Sequence, residues 1–239
     1  MKIVQLTLLS IFLFAFSCKN EGSSTVMEQE VNNAIEQAIG KTSDEYKGKL
    51  DELLTLEIAS EATGYAPNEA KKDYNKIFED PATHSVSYDW DKGRMKKVNN
   101  PITNKEMNVP TNDFVKIAWV RNTTLDKFKF DYHTPTAEEI KKANEAMDKK
   151  LNEMVGEGKA TKEQADLSKE MGNGLMSGQS YTEVSNVGDY ATWNNKYKQL
   201  KVFYRGLEFE ITVEVSDDES VNKQKSIEVA KQIINQKLK

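Results

Sequence analysis

The chain has almost no cysteine. Cys18 is the only one, so no internal disulfide is available and the fold must rest on a hydrophobic core. Histidine is nearly as scarce: His84 and His133 stand alone, without a partner at metal-ligand spacing, and neither HExxH nor CxxC occurs. The glycines at 172, 174 and 178 are not followed by Lys-Ser/Thr, so there is no phosphate-cradling loop, and no G-x-S-x-G nucleophile elbow is present. Basic charge is not in excess either. Against 38 acidic residues stand 33 basic ones, a formal net charge of −5, which offers nothing to neutralise a phosphate backbone. Nucleic-acid binding and cofactor chemistry are therefore not expected. Internal repeats and long low-complexity segments are also missing.

What is present begins with the leader. Lys2 is followed by Leu6, Leu8, Leu9, Ile11, Phe12, Leu13, Phe14 and Phe16, and then by the polar run Lys19-Asn20-Glu21. A positive start and a short apolar run form the pattern of a secretory signal, and the run falls short of the roughly 20 apolar residues a spanning helix needs. Ala15-Phe16-Ser17-Cys18 resembles a bacterial lipobox. That resemblance implies cleavage before Cys18, lipidation of its sulfur and acylation of the new amino terminus. Each buried methylene contributes roughly 0.8 kcal/mol, and two or three acyl chains hold a protein on a bilayer where one does not. Losing residues 1–17 removes Lys2 and no acid, taking the formal charge from −5 to −6. The expected organisation is a signal peptide at 1–17, a lipidated tether at 18–44 with a short helical stripe from Val31 to Ile39, and one domain at 45–239.

Periodicity within that domain predicts both element types. Leu50, Leu53, Leu54, Ile58 and Ala59 recur at helical spacing up to Gly64, and Asn68 is placed to cap a second helix reaching about Phe78. "HSVSYDW" alternates and is followed by turn chemistry at Asp91-Lys92-Gly93. "DFVKIAWV" puts Val115, Ile117 and Trp119 on one side of a strand, and "FKFDY" reads as another strand by the spacing of Phe128, Phe130 and Tyr132. Thr136 and Glu139 form a capping box, after which Ile140, Ala143, Met147, Leu151 and Met154 open a helical hairpin inserted at about 136–172.

"QLKVFYRGLEFEITVEV" is the strongest local signal. With Arg205-Gly206 as a two-residue loop, Tyr204 opposes Leu207, Val202 opposes Phe209 and Leu200 opposes Ile211, all on one face. Lys201 then opposes Glu210 on the other face. A slip of one residue would put glutamate against the apolar set, so a single register satisfies both faces. Ile227, Val229, Ala230, Ile233, Ile234 and Leu238 make a closing helix. The fold class predicted is α+β: an antiparallel sheet with helices packed on one face and an inserted helical hairpin.

"VGDYATWNNKY" with the hairpin and the helix ending "AKQIINQKL", about the last 55 residues, is similar to the C-terminal half of envelope lipoproteins with a PsbP-like α+β fold. In those a Gly-Asp-x-Ala-x-Trp block, here Gly188, Asp189, Ala191 and Trp193, precedes the hairpin. The resemblance implies a binding or accessory role without shared catalytic residues.

Candidate chemistry is sparse. Asp89, Asp91 and Gly93 lack the remaining ligands of a calcium loop, and Asp217-Asp218-Glu219 suit a helix N-terminus. The aromatic set Trp90, Trp119, Trp193, Tyr181, Tyr190 and Tyr197 is the material for a glycan or peptide groove, and Asp189, Tyr190 and Trp193 are the candidate ligand-facing residues. The function expected is a non-catalytic cell-envelope lipoprotein held on the membrane by its anchor and binding an envelope protein partner. The alternatives are a hydrolase using carboxylates such as Asp89, Asp91 and Asp189, or a carrier of a small apolar ligand. Cys18→Ser is expected to abolish incorporation of radiolabelled palmitate and to move the protein from the membrane pellet to the supernatant. A variant that still sediments with membranes refutes the anchor.

Overall fold

The computed structural model describes residues 42–100, 103, 105–176 and 178–239. The leader, Cys18 and the stripe from Val31 to Ile39 lie outside the described residues. The strands are β1 (Lys71–Asn75), β2 (Ser85–Asn99), β3 (Glu106–Asn122), β4 (Tyr181–Glu183), β5 (Tyr190–Asn194), β6 (Gln199–Tyr204) and β7 (Leu207–Glu214). They form one seven-stranded sheet in the order β1-β2-β3-β7-β6-β5-β4, and every pairing is antiparallel. The helices are α1 (Leu50–Leu53), α2 (Leu56–Thr63), α3 (Leu125–Asp131), α4 (Ala137–Gly156), α5 (Lys162–Met176) and α6 (Glu219–Ile233), the last continued by a π turn over Ile234–Leu238. This is the expected α+β class, and α4 and α5 are the inserted helical hairpin. Among the described residues no helix is long and apolar enough to cross a membrane.

The β6–β7 hairpin has the register that satisfies both faces: Leu200↔Ile211, Lys201↔Glu210, Val202↔Phe209 and Tyr204↔Leu207. Arg205 and Gly206 have φ of 46° and 79°, the positive pair that a type I′ loop demands. On the first face of the sheet, Leu200, Val202, Phe209, Ile211 and Val213 join Val86, Trp90, Val115, Ile117, Ala191 and Trp193 in one core. Leu53, Ile58 and Ala59 of α1 and α2 and Val229, Ala230 and Ile233 of α6 cover it. Each fully buried large side chain contributes about 1.5–3 kcal/mol of transfer free energy. Thr55 caps α2 by accepting from the Ile58 amide, Gly64 ends it at φ 76°, and Asp218 caps α6 by accepting from the Ser220 amide.

Three elements depart from the periodic reading. The segment after Asn68 forms no helix: a 3₁₀ turn at Pro67–Glu69 leads into the edge strand β1, and Ile77 and Phe78 are exposed. Lys71, Lys72 and Asp73 are the charged, short type of sequence that protects a sheet edge. "FKFDY" is not a strand but α3, capped by Thr124, whose hydroxyl accepts from the Lys127 amide. Phe128 and Tyr132, four residues apart, share the helix's inner side and leave Phe130 exposed. Asp91-Lys92-Gly93 does not end β2 but bulges it, between the pairs Trp90↔Asp113 and Arg94↔Thr111, with Gly93 at φ 67°.

The Gly-Asp-x-Ala-x-Trp block has a structural explanation. Gly188 has φ 60°, and a Cβ there would lie 2.5 Å from the Phe203 carbonyl oxygen. Asp189 accepts from the Arg205 amide at 2.6 Å and its own amide donates to Phe203 O at 2.9 Å, so it clips the hairpin loop. Ala191 and Trp193 are fully buried. Gly188→Ala is expected to lower stability by more than about 1 kcal/mol. Gly93→Ala, also at positive φ but with nothing within 4 Å of the added carbon, should cost less. Equal urea midpoints for the two variants would show that the close approach to Phe203 does not matter.

Candidate functional site

The sheet's second face carries the charge. Alternation along β6 and β7 puts Lys201, Glu208 and Glu210 there, and all three are buried. Their burial follows from what lies above them. The helix α3 crosses this face and seats Phe128 against Tyr190 and Phe203, with ring centroids 6.0 and 5.8 Å apart. Tyr132, at the end of α3, donates its hydroxyl to Glu208 Oε1. Arg121 of β3 brings Nε within 3.1 Å of Glu208 Oε2 and one Nη within 3.3 Å of Asp131 Oδ2. Lys201 pairs with Glu210, and its ammonium lies 4.8 Å from the centre of the Tyr132 ring.

Burial, reinforced by the charge of Glu208 beside it, pushes the Tyr132 phenol far above the ordinary tyrosine range, so it stays a proton donor. Burial works against the charge on Arg121, but Glu208 outweighs it and the guanidinium is held more firmly protonated than usual.

Beside α3 the face stays open as a hollow of about 380 Å³. Lys201 and Gln199 of β6, Glu210 of β7 and Asn194 of β5 line it, with Tyr132, Tyr181, Tyr197, Arg121 and Trp119 around them. Trp119 reaches this place through a bulge. Between Ala118↔Glu210 and Arg121↔Glu208, β3 has one residue more than β7. Val120 takes the core-side place, buried, and Trp119, at φ 53° and 42 % exposed, turns to the hollow. The period-two reading that put Trp119 with Val115 and Ile117 is thereby corrected. A bulky residue at positive φ costs of order 1–3 kcal/mol and persists only where its surroundings impose it.

Two other hollows are less suited to hold a ligand. One of about 630 Å³ is lined by Arg94, Lys96, Lys198, Glu214, Asp217 and Glu219. Lys97 and Lys196 line it too, and most of its charges are met within the protein: Arg94 binds Asp113, Glu214 and Asp217 at 2.6, 3.3 and 3.1 Å, Lys96 binds Glu214 at 2.9 Å, Lys97 binds Glu106 at 3.2 Å, and Lys198 binds Glu219. The other, about 200 Å³, is a narrow space between Ser43–Tyr46 and Pro81.

Of the aromatic set singled out from the sequence, Trp119, Tyr181 and Tyr197 line the hollow; the residues expected to face a ligand lie elsewhere. Trp193, expected to face a ligand, is fully buried in the core on the first face, its indole N–H donating to Glu219 at 3.3 Å. Trp90 is likewise buried and donates to Ala66 O at 3.0 Å. Tyr190 is on the hollow's face, but its ring packs against Phe128 rather than lining the hollow. Asp189 is the loop clip described above. Asp89 accepts from the Ser87 hydroxyl at 2.7 Å, and burial raises its pKa. Asp91 accepts from the Gly93 amide inside the bulge. Asp89 belongs to the row that ends at Glu214, while Asp189 lies beside the loop at the opposite end of β7, so these carboxylates do not converge. His84 Nε2 lies 2.9 Å from Phe78 O and His133 bridges Phe130 O and Glu139, both structural positions. Among the described residues no group of three His, Cys, Asp or Glu side chains is placed to hold a metal ion.

Removing one partner of the Lys201–Glu210 pair leaves a buried, uncompensated charge. Lys201→Met is expected to cost about 3–5 kcal/mol in urea unfolding, and Lys201→Met/Glu210→Leu to recover most of it. A single variant as stable as the double one would mean that water already solvates this face. Comparison of the chain with protein-family models, with curated proteins and with solved structures finds no match.

Proposed function

We propose that this chain is a lipid-anchored, non-catalytic binding module of the bacterial cell envelope, and that the hollow over β5, β6 and β7 is its ligand site. The observation that carries the reading is Trp119: a large aromatic side chain held at positive φ at a bulge three residues before the end of β3, 42 % exposed over a polar hollow. Strain of this kind recurs at ligand clamps. The location rests on the sequence around Cys18, whose lipobox resemblance supplies the anchor. The carboxylates at this face support binding rather than turnover, because Glu210, which lines the hollow, is held by Lys201, and Glu208, outside the lining, is held by Tyr132 and Arg121. A floor of charged side chains does not suit a small apolar ligand.

A protein partner is the second reading, and the hairpin of α4 and α5 favours it. No residue of α4 is buried, and Leu167 and Met171 of α5 are exposed. An apolar stripe presented on a projecting arm is a contact surface.

Fluorescence tests the first reading, because Trp90 and Trp193 are fully buried and Trp119 is the accessible tryptophan. Detergent-free extract of the bacterial envelope is expected to shield Trp119 from acrylamide quenching. Trp119→Phe should lose the quenchable component. Quenching unchanged by every envelope fraction refutes the hollow as a ligand site.

A further inference from the structure

The hollow's chemistry narrows the ligand class. Every charged group lining it is already matched from within the protein: Arg121 by Glu208 and Asp131, and Lys201 by Glu210. A phosphate or carboxylate ligand would have to break one of these buried pairs and leave its partner uncompensated. Arg121 Nε and Glu208 Oε2 face each other as an ion pair without a hydrogen bond, but both atoms are buried; the uncommitted polar groups that line the hollow are neutral. The Trp119 indole N–H, the Tyr197 hydroxyl and the Gln199 amide line the hollow and have no hydrogen-bond partner among the described residues. Asn194 is partly committed, since its Oδ1 accepts from the Lys196 and Tyr197 amides at 2.9 Å.

Two of these neutral groups, the Trp119 N–H and the Tyr197 hydroxyl, are the polar ends of flat aromatic rings. Trp119 and Tyr197 are both more than two-fifths exposed, and Tyr132 and Tyr181 stand 6.0 Å apart between ring centroids. Such a lining matches a ligand with apolar faces and a hydroxylated rim. That is the description of a pyranose ring, whose C–H faces stack on aromatic surfaces while its hydroxyls both donate and accept. An extended peptide is disfavoured. Strand addition needs a free sheet edge; the edge beside the hollow is β4, only three residues long, and the other strands that line the hollow, β3, β5, β6 and β7, are paired on both sides. About 380 Å³ is within the range of small-ligand sites.

We propose that the hollow rimmed by Trp119, Tyr197 and Gln199 binds a neutral saccharide of the cell envelope. This rests on the reading of the hollow as a ligand site, and the test separates the two. Envelope extract is divided into portions treated with periodate, which cleaves vicinal diols, with hot dilute acid, which hydrolyses glycosidic bonds including those of 4-linked amino sugars that resist periodate, with proteinase, or with organic solvent, and each is assayed for protection of Trp119 in the full mature protein. Protection lost after periodate or after acid, and kept after proteinase and after organic solvent, is the expected result. Protection that survives both periodate and acid overturns the saccharide and leaves the ligand site standing. No protection by untreated extract overturns both. Chitotetraose, maltotetraose and cellotetraose are then titrated as defined probes. Where one of them shifts Trp119 emission, Gln199→Ala is expected to weaken it tenfold or more, with the near-ultraviolet signal of Trp90 and Trp193 unchanged as the check on folding. Full binding by Gln199→Ala would remove that amide from the site and overturn the assignment.

Discussion

Strict alternation along β6 and β7 is the constraint from which the rest of the molecule follows. Leu200, Val202, Phe209, Ile211 and Val213 must go to one side, and Lys201, Glu208 and Glu210 must then go to the other. Both strands lie inside the sheet rather than at its edge, so these charges stand in the middle of a face. An isolated charge in that position costs several kcal/mol once anything covers it. The molecule offsets this by pairing: Lys201 with Glu210 across the hairpin, Glu208 with Arg121 from the neighbouring strand and with Tyr132 from above. Because α3 is a short helix, it covers only part of the face. The hollow is what remains open beside it.

One extra residue in β3 then decides what the hollow contains. Without the bulge, Trp119 would join Ile117 in the core and Val120 would point into the polar face. With it, Val120 is buried and Trp119 rims the hollow. The strand is held at both ends by regular pairing, Phe114 to Ala118 on one side and Arg121 and Asn122 on the other, so the positive φ at Trp119 cannot relax by slipping the register. A one-residue slip would carry Val115 and Ile117 out of the core. The cost of the strained residue is thus offset by core packing far from it.

This also explains which parts were legible in the sequence. The β6–β7 register was legible because two faces of opposite chemistry leave one solution. The capping box at Thr136 and Glu139 was legible because the interaction is local, three residues apart, and in the fold both halves form: Thr136 accepts from the Glu139 amide and Glu139 accepts from the Thr136 amide. What failed depends on contacts between distant segments. β1 exists because β2 offers it an edge, and Tyr74 anchors it by accepting from the Leu50 amide at 2.9 Å. Phe128 and Tyr132 fit period two as well as an i, i+4 helix; the cap at Thr124 is the local sign of the helix, and packing of Phe128 on Tyr190 and Phe203 with the Tyr132–Glu208 bond holds it on this face. The bulge at Trp119 has no glycine to announce it. Trp193 misled because a polar loop precedes it, although the strand that follows, Tyr190–Asn194, is an inner one.

The arm and the hollow share their foundations, which bears on how each is probed. The segment between α3 and α4 runs from Tyr132, a wall of the hollow, to Thr136, the cap of the arm, in five residues. Thr134 in that segment is clamped to β4: its hydroxyl donates to Tyr181 O at 3.2 Å and accepts from the Tyr181 amide at 2.8 Å. Tyr181 is itself a wall of the hollow, and burial raises its pKa while a bond from Asn194 opposes the rise. The other end of the arm returns to the same short strand. Deleting the hairpin therefore re-joins the chain directly between the Thr134 clamp and Tyr181 and bears on the walls of the hollow, so a deletion that abolishes ligand binding says nothing about whether the ligand touches the arm. Point changes at Leu167 and Met171, exposed and outside the lining of the hollow, separate the two surfaces, because they alter the apolar stripe of the arm and leave the walls of the hollow in place.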